Sequence, residues 1–248
     1  MATSLDDCHA TTADEMATAL ADRGLVLLEG IATSGDLLRV ARSIATIVPH
    51  RDSGPDGVTT LSDLGAATVP TGFAGFSAYA LNPHTDRSGV ESPPALLMMN
   101  CAQAAASGGE SVLIDGQAVY DDLAESEPDA LRALCAPRSV LFGGAAGYLG
   151  SIFTATGDRV LVRFRLDELA RFSPEVSHWL PLLRKVIDRH AIEVELNAGQ
   201  GYVLDNHRWL HGRRAFTGQR VVHRINGNPL PELGMRTGIP LHESVSRT

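Results

Sequence analysis

His84-Thr85-Asp86 places an imidazole and a carboxylate two residues apart. In an extended stretch, a period of two turns both side chains to one side of the backbone. They would then supply two of the three protein ligands of a two-histidine, one-carboxylate metal site. The same spacing arises in hydrogen-bonded surface pairs, so taken alone it leaves that alternative open. A second segment, Gly201 to Arg220, bears on the choice. Here the strand-like Tyr202-Val203-Leu204, bounded by Gly201 and Asp205-Asn206, leads to His211-Gly212-Arg213, and Arg220 follows within a second strand. His211 offers the missing neutral nitrogen. A nearby arginine offers the fork that grips a carboxylate through two parallel hydrogen bonds, as a bound dicarboxylate requires.

Such residues need elements to hold them. Ala13–Arg23 reads as a helix stopped by Gly24, and Leu25–Leu28 as a short buried strand. Ser34 is the expected N-cap of a second helix running to about Val48, with Leu37, Leu38, Val40, Ala41 and Ile44 apolar at helical spacing. Arg51–Gly75 is rich in Gly, Pro, Ser and Thr and reads as a long loop, of the kind that often covers a binding site. Beyond it short strands are expected at Phe76–Leu81, Ala95–Cys101, Ser111–Ile114, Ser139–Phe142, Ser151–Thr154, Arg159–Arg163, Ile192–Leu196, Tyr202–Leu204 and Arg220–Ile225. Helices are expected near Gln117–Glu125, Asp129–Leu134 and Ser173–Arg189, with Pro181 a point where the last could kink or restart. The pattern is mainly β with flanking helices, a sandwich or barrel covered by helices on one side.

Composition narrows the function classes. The 248 residues, 44% hydrophobic, suffice for one substantial core and are read as a single domain. Asp and Glu total 29 against 21 Lys and Arg, a net charge of -8, which argues against a general nucleic-acid binder. No apolar run approaches the roughly 18–20 residues that span a bilayer. The start, Met1 to Asp7, lacks the basic and apolar parts of a signal peptide. Cys8, Cys101 and Cys135 show no CxxC spacing, which favours a reducing compartment. A cytoplasmic protein acting on a small molecule is expected. Neither GxGxxG nor GxxxxGK[ST] occurs, which weakens nicotinamide and ATP readings. Lys185, the sole lysine, sits in an amphipathic helix pattern and is read as a solvated surface residue. His207 and His211 have HxxxH spacing, but the preceding strand and the lack of an HExxH glutamate argue against a zinc hydrolase. His9, His50, His178, His190, His223 and His242 are expected at the surface or in hydrogen bonds, and Cys101 in the core.

The combination is more specific than its parts. His84-Thr85-Asp86, Gly108-Gly109-Glu110-Ser111, Asp115-Gly116 and Asp205-Asn206…His211-Gly212-Arg213…Arg220 resemble the Fe(II)/2-oxoglutarate-dependent oxygenases of the taurine dioxygenase (TauD/TfdA)/clavaminate synthase-like family. The last stretch is also similar to trimethyllysine and γ-butyrobetaine hydroxylases, whose N-terminal zinc-binding extension is expected to have no counterpart here. The likeness runs from about Phe76 to Asn226. It implies a double-stranded β-helix (jelly-roll, cupin-like) core over about 76–228, with a helical N-terminal part at 1–50 and a tail at 229–248. It further implies His84, Asp86 and His211 as iron ligands and Arg220 as partner of the distal carboxylate of 2-oxoglutarate. Ser111 would add a hydroxyl to that carboxylate, where many relatives carry Thr. Arg224 matches a second arginine that meets an anionic substrate group in several relatives, and Asn82 is expected at the substrate too.

Several expectations follow from that resemblance. Two of iron's open positions would chelate the 2-oxoacid and the third would take O2, giving succinate, CO2 and attack on an unactivated C–H bond. Asp86 favours hydroxylation over halogenation, because halogenating members carry a small residue there. The alternatives are desaturation or cyclisation with the same cofactors, or a non-catalytic small-molecule-binding jelly roll. On a strand, residues 220, 222 and 224 share one face, so both arginines are expected to reach one cavity. A second buried guanidinium needs its own anion, which points to an anionic substrate such as an amino acid or natural-product intermediate. The alternative for Arg224 is a salt bridge to Glu110 or Asp115. A quaternary-ammonium substrate is disfavoured, since only 7 Phe, 2 Trp and 4 Tyr are available for an aromatic cage. Arg51–Gly75 and Gly143–Gly150 are expected to form a mobile cover.

Overall fold

Leu96–Gln103 carries no apolar alternation: its first six residues are all buried. A strand buried on both faces requires packing on both sides, and the fold is built around that requirement. The structure, a computed structural model, describes residues 8, 10, 12–65 and 70–241. In chain order come α1 (Ala13–Arg23), β1 (Leu25–Leu28), α2 (Ser34–Ile44), β2 (Ala45–Ile47), β3 (Thr59–Leu61), β4 (Leu81–His84), β5 (Leu96–Gln103), β6 (Ser107–Gly108) and β7 (Ser111–Asp115). There follow α3 (Gly116–Ser126), α4 (Pro128–Cys135), β8 (Val140–Phe142), β9 (Tyr148–Gly150), β10 (Phe153–Thr156), β11 (Arg159–Val162), β12 (Ala170–Phe172) and α5 (Pro174–Arg189). The last are β13 (Ala191–Val194), β14 (Gly201–Asp205), β15 (Trp209–Arg213), β16 (Phe216–Thr217), β17 (Val221–Pro229) and β18 (Ile239–Pro240).

Two antiparallel sheets dominate. The larger has six strands in the order β1-β14-β5-β17-β2, with β3 also on β17, and the smaller runs β13-β7-β15-β4. Their facing sides meet through Leu97, Met99, Tyr202, Leu204 and Val222 on one sheet and Leu113 and Trp209 on the other. The opposite side of the larger sheet, with Met98, Val203 and Ile225, packs on Leu20 of α1 and Leu37 and Ile44 of α2. The smaller sheet turns Val112, Ile114 and Leu210 toward Val119, Leu123, Leu134, Val176 and Leu183 of α3, α4 and α5. Each such buried side chain contributes roughly 1.5–3 kcal/mol. Helices therefore cover both outer faces, not one, because neither sheet has a polar outer face to leave in water.

The elements depart from expectation at several places, among them the strands β4 and β15 that carry His84 and His211, neither of which was expected. Thr33, not Ser34, caps α2, in a reciprocal box with Asp36. That helix stops at Ile44 instead of Val48, where the chain turns extended as β2 and pairs with β17. The long loop after Arg51 contains β3, which also pairs with β17. The strand expected at Phe76–Leu81 is a 3-10 turn at Ala74–Phe76 followed by irregular chain, since the Arg213 guanidinium takes the Ser77 and Tyr79 carbonyls that a neighbouring strand would otherwise bond. Pro181 lies inside a helix continuous from Pro174 to Arg189. No helix among the described residues is long and apolar enough to cross a membrane.

Candidate active site

Register brings the two histidines together. β15 pairs with β4 so that His211 lies directly opposite His84, their ring centroids 4.3 Å apart. That close approach needs Gly212, where an added Cβ would lie 2.6 Å from the Leu81 carbonyl oxygen. Asp86 follows β4 on a turn gripped by Asn206. The Asp86 amide donates to Asn206 Oδ1 at 2.7 Å, and Asn206 Nδ2 donates back to the Asp86 carbonyl at 3.1 Å. The next residue, Arg87, is left-handed at φ 54° and holds the Pro49 carbonyl at 2.8 Å.

One ligand atom from each of His84, Asp86 and His211 lies within 4.8 Å of the others. His84 Nδ1 bonds the Asn82 carbonyl at 2.9 Å, which orients the ring and leaves Nε2 for a metal. His211 Nδ1 is buried without a partner. Burial depresses the pKa of both imidazoles, that of His211 well below its ordinary value, with His84 beside it adding to the effect. Burial alone would raise Asp86. The Arg224 guanidinium at 3.3 Å, the two histidines and Asn226 Nδ2 at 2.8 Å instead hold it well below the usual carboxylate range. Neutral nitrogens, one ionised carboxylate and an unsatisfied buried ring atom form a donor set that fits a divalent iron ion.

The polar groups around this cluster fall into two regions. A cavity of about 490 Å³ is lined by His84, Asp86, Asn82 and Arg224, by His50, and by the Arg165–Asp167 pair. Arg51, Gly72 and Gly75 contribute to its wall, as do Gly143, Ala146 and Gly147, so both expected cover segments border it. Residues 66–69 of the first segment lie outside the described residues, as do His9 and His242. Arg220 and Ser111 do not line this cavity. Arg220 is 6% exposed, lies beside Phe216, and has no carboxylate within 4.0 Å among the described residues. Gly109, at φ 84°, passes over it where a Cβ would sit 3.1 Å from Arg220 Nε. Of the two arginines expected at one cavity, Arg224 lines it, while Arg220, like His211, does not. Pairing of β17 with β5 shifts between Val221 and Val222, and Arg220 lies beyond that irregularity.

Arg224 forms its salt bridge with Asp86 and not with Glu110 or Asp115, and its Nε is buried without a partner. Asp115 is taken by Arg208 through bonds of 2.8 and 2.6 Å. His207 bonds the Pro93 carbonyl and Thr237, away from the three-residue cluster. Sequence reasoning missed Asn226, although the alternation 222, 224, 226 along one strand face contained the signal. It quoted Asn206 without its role. His50, Arg165 and Asp167 had no local signal, because loops distant in sequence bring them to the cavity.

Comparison with known proteins followed the same lines. Residues 2–226 match the model of the family described as taurine catabolism dioxygenase TauD, TfdA. The chain is 27% identical over 219 residues to γ-butyrobetaine dioxygenase of Pseudomonas sp. (strain AK-1), covering 82% of this chain and 55% of that one. It is 29% identical over 133 residues to uridine-5'-phosphate dioxygenase of Amycolatopsis sp, 48% of each chain. The chain spans about half the length of these curated relatives. In fold it resembles an asparagine oxygenase solved with Fe(II), 2S,3S-3-hydroxyasparagine and succinate, at TM-score 0.67 and 13% identity over 87% of this chain and 78% of that one. The non-heme iron oxygenase OrfP, solved with Fe, succinate and (3R,4R)-dihydroxy-L-Arg, gives TM-score 0.67 and 15% identity over 92% and 88%.

Proposed function

Because the chain belongs to the taurine catabolism dioxygenase TauD/TfdA family, we propose that it is an Fe(II)- and 2-oxoglutarate-dependent dioxygenase that hydroxylates a small anionic substrate, such as an amino acid or natural-product intermediate. The observation that carries this reading is the His84–Asp86–His211 cluster, two of whose members, His84 and Asp86, line the 490 Å³ cavity. In this reading the two large sheets are the halves of a double-stranded β-helix, and the described residues act as one catalytic domain. Bound iron, with 2-oxoglutarate and O2, supplies the oxidation of an unactivated C–H bond and releases succinate and CO2.

The protein's own residues prepare that chemistry. His84, Asp86 and His211 hold the metal on one side and leave the other side to ligands. Asn82 fixes the His84 ring through its carbonyl, and Asn206 and Asn226 fix the Asp86 carboxylate and its turn. Arg220 meets the distal carboxylate of the cosubstrate, with Ser111 beside it. Arg224 faces the cavity, and its unpartnered Nε supports a role in holding an anionic substrate group. Arg165 and Asp167 add one charge of each sign to the same wall, which suits a zwitterion. The hydroxyasparagine and dihydroxyarginine in the solved neighbours agree with an amino-acid substrate. Oxygen-free protein given iron(II) and 2-oxoglutarate is expected to develop a visible metal-to-ligand charge-transfer band. Free and carrier-tethered amino acids, betaines and nucleotides, screened by succinate release and product mass, would then identify the substrate. A folded, iron-loaded protein without that band would favour a non-catalytic binding protein.

A further inference from the structure

Tyr202 reads in sequence as a core residue of a strand, yet its hydroxyl lies among the charged groups of the site. The side chain is 1% exposed on β14, in direct register with Met99 of β5, which is in register with Arg224 of β17. This cross-strand row carries the phenol to the space between the sheets, where Ser111 of β7 acts on it from the facing sheet. The phenol itself donates to Met99 Sδ at 3.1 Å. A thioether is a weak acceptor, and buried hydroxyls usually find an oxygen. Arg220 acts electrostatically on the same phenol. Its guanidinium is nine-tenths buried and has no carboxylate within 4.0 Å among the described residues. Tyr202 and Arg220 thus act on one another from separate strands or their ends, with no carboxylate within 4.0 Å of Arg220 among the described residues.

We propose that the Tyr202 hydroxyl binds the distal carboxylate of 2-oxoglutarate, closing a three-donor pocket with Arg220 and Ser111. The proposal rests on the dioxygenase reading and names a cosubstrate-binding group that the sequence pattern does not reveal. On binding, the phenol exchanges its bond to Met99 Sδ for a charge-assisted bond to a carboxylate oxygen, which is shorter and stronger. Burial pushes the phenol up to about 12, so it remains protonated and able to donate. Its ring also closes the pocket behind the carboxylate, which makes Tyr202 a determinant of cosubstrate length and charge.

The test uses oxygen-free, iron(II)-loaded protein and two probes read by the charge-transfer band. These are 2-oxoglutarate and 2-oxobutyrate, which has the same chelating head but no distal carboxylate. Tyr202→Phe is expected to raise the Kd for 2-oxoglutarate roughly tenfold or more, the weight of one bond to a charged group. The Kd for 2-oxobutyrate, the iron content and the melting temperature should stay as in the parent protein. An unchanged Kd for 2-oxoglutarate, or equal weakening of both probes, overturns the proposal while the dioxygenase reading stands. A parent protein that gives no band with either probe overturns that reading and this proposal with it. Met99→Leu provides a second arm: removing the competing acceptor should tighten 2-oxoglutarate binding. Selective weakening there would assign the phenol to Met99 and end the proposal.

Discussion

His211 combines an unpartnered buried Nδ1 with a pKa pressed well below its ordinary value, so the ring stays neutral and its burial is compensated only when a ligand is bound. His211→Ala is therefore expected to reduce iron retained after gel filtration to background and to abolish turnover; normal activity in that variant would remove the metal assignment. Arg220 and Ser111 should differ in weight. A carboxylate left without its buried guanidinium loses about 3–5 kcal/mol, so Arg220→Ala should raise the 2-oxoglutarate requirement at least a hundredfold. Ser111→Ala should cost about 1 kcal/mol. Equal, small effects in the two titrations would mean that the cosubstrate pocket is misplaced. Arg224→Gln is expected to weaken substrate binding by roughly tenfold, leaving 2-oxoglutarate binding largely intact, because Arg224 lines the cavity and Arg220 does not. Unaltered substrate affinity would assign Arg224 to the Asp86 carboxylate alone. These residues could be singled out in the sequence because their types are unusual together. Tyr202 could not be, since a tyrosine in a strand is an ordinary core choice.

The elements around the cavity differ in how firmly they are held. β4 and β15 are locked by the ladder that sets His84 opposite His211. The turn between β8 and β9 has Gly143 and Gly144 at positive φ, and is tied back through the Leu169 carbonyl, which both their amides share at 2.8 and 3.0 Å. Arg163 stacks 4.1 Å over Tyr148 on that hairpin and bonds the Ser88 carbonyl at 2.6 Å, linking the hairpin to the chain just after Asp86. Binding of cosubstrate and substrate is expected to slow amide exchange in 143–150 and in the described part of 51–75. Unchanged protection in both segments would end the cover assignment. The first segment was readable as a loop from its Gly, Pro and Ser content. The strand β3 inside it was not, because three residues carry too little pattern and its pairing partner, β17, lies far along the chain.

At the scale of the molecule, ionisable groups buried between elements make stability depend on pH. Burial raises Asp205 from 3.8 to about 7, although Gly238 and His207 amides donate to its two oxygens at 2.6 and 2.8 Å. The folded form binds this proton more tightly than the unfolded chain, so its contribution is full below about pH 4 and is lost as pH rises through about 7. The three-unit difference corresponds to about 4 kcal/mol. The depressed histidines, His50, His84, His207, His211 and His223, act in the opposite sense, favouring the fold as pH rises through their unfolded value. The informative quantity is thus the difference in melting temperature between the parent and Asp205→Asn. It should move in favour of the variant from pH 5 to 8, and a pH-independent difference would refute the assignment. The sequence by itself determined the mainly β class, about half of the strands among the described residues, and the donor types of the candidate metal cluster, because strand alternation and short motifs are local properties. Only the tertiary structure decided that His211 sits opposite His84, that Asn226 and Arg224 hold Asp86, and that the Tyr202 phenol lies in register with Met99 and Arg224. Each of these depends on cross-strand pairing of residues 103 to 140 positions apart, and no window along one chain contains both partners.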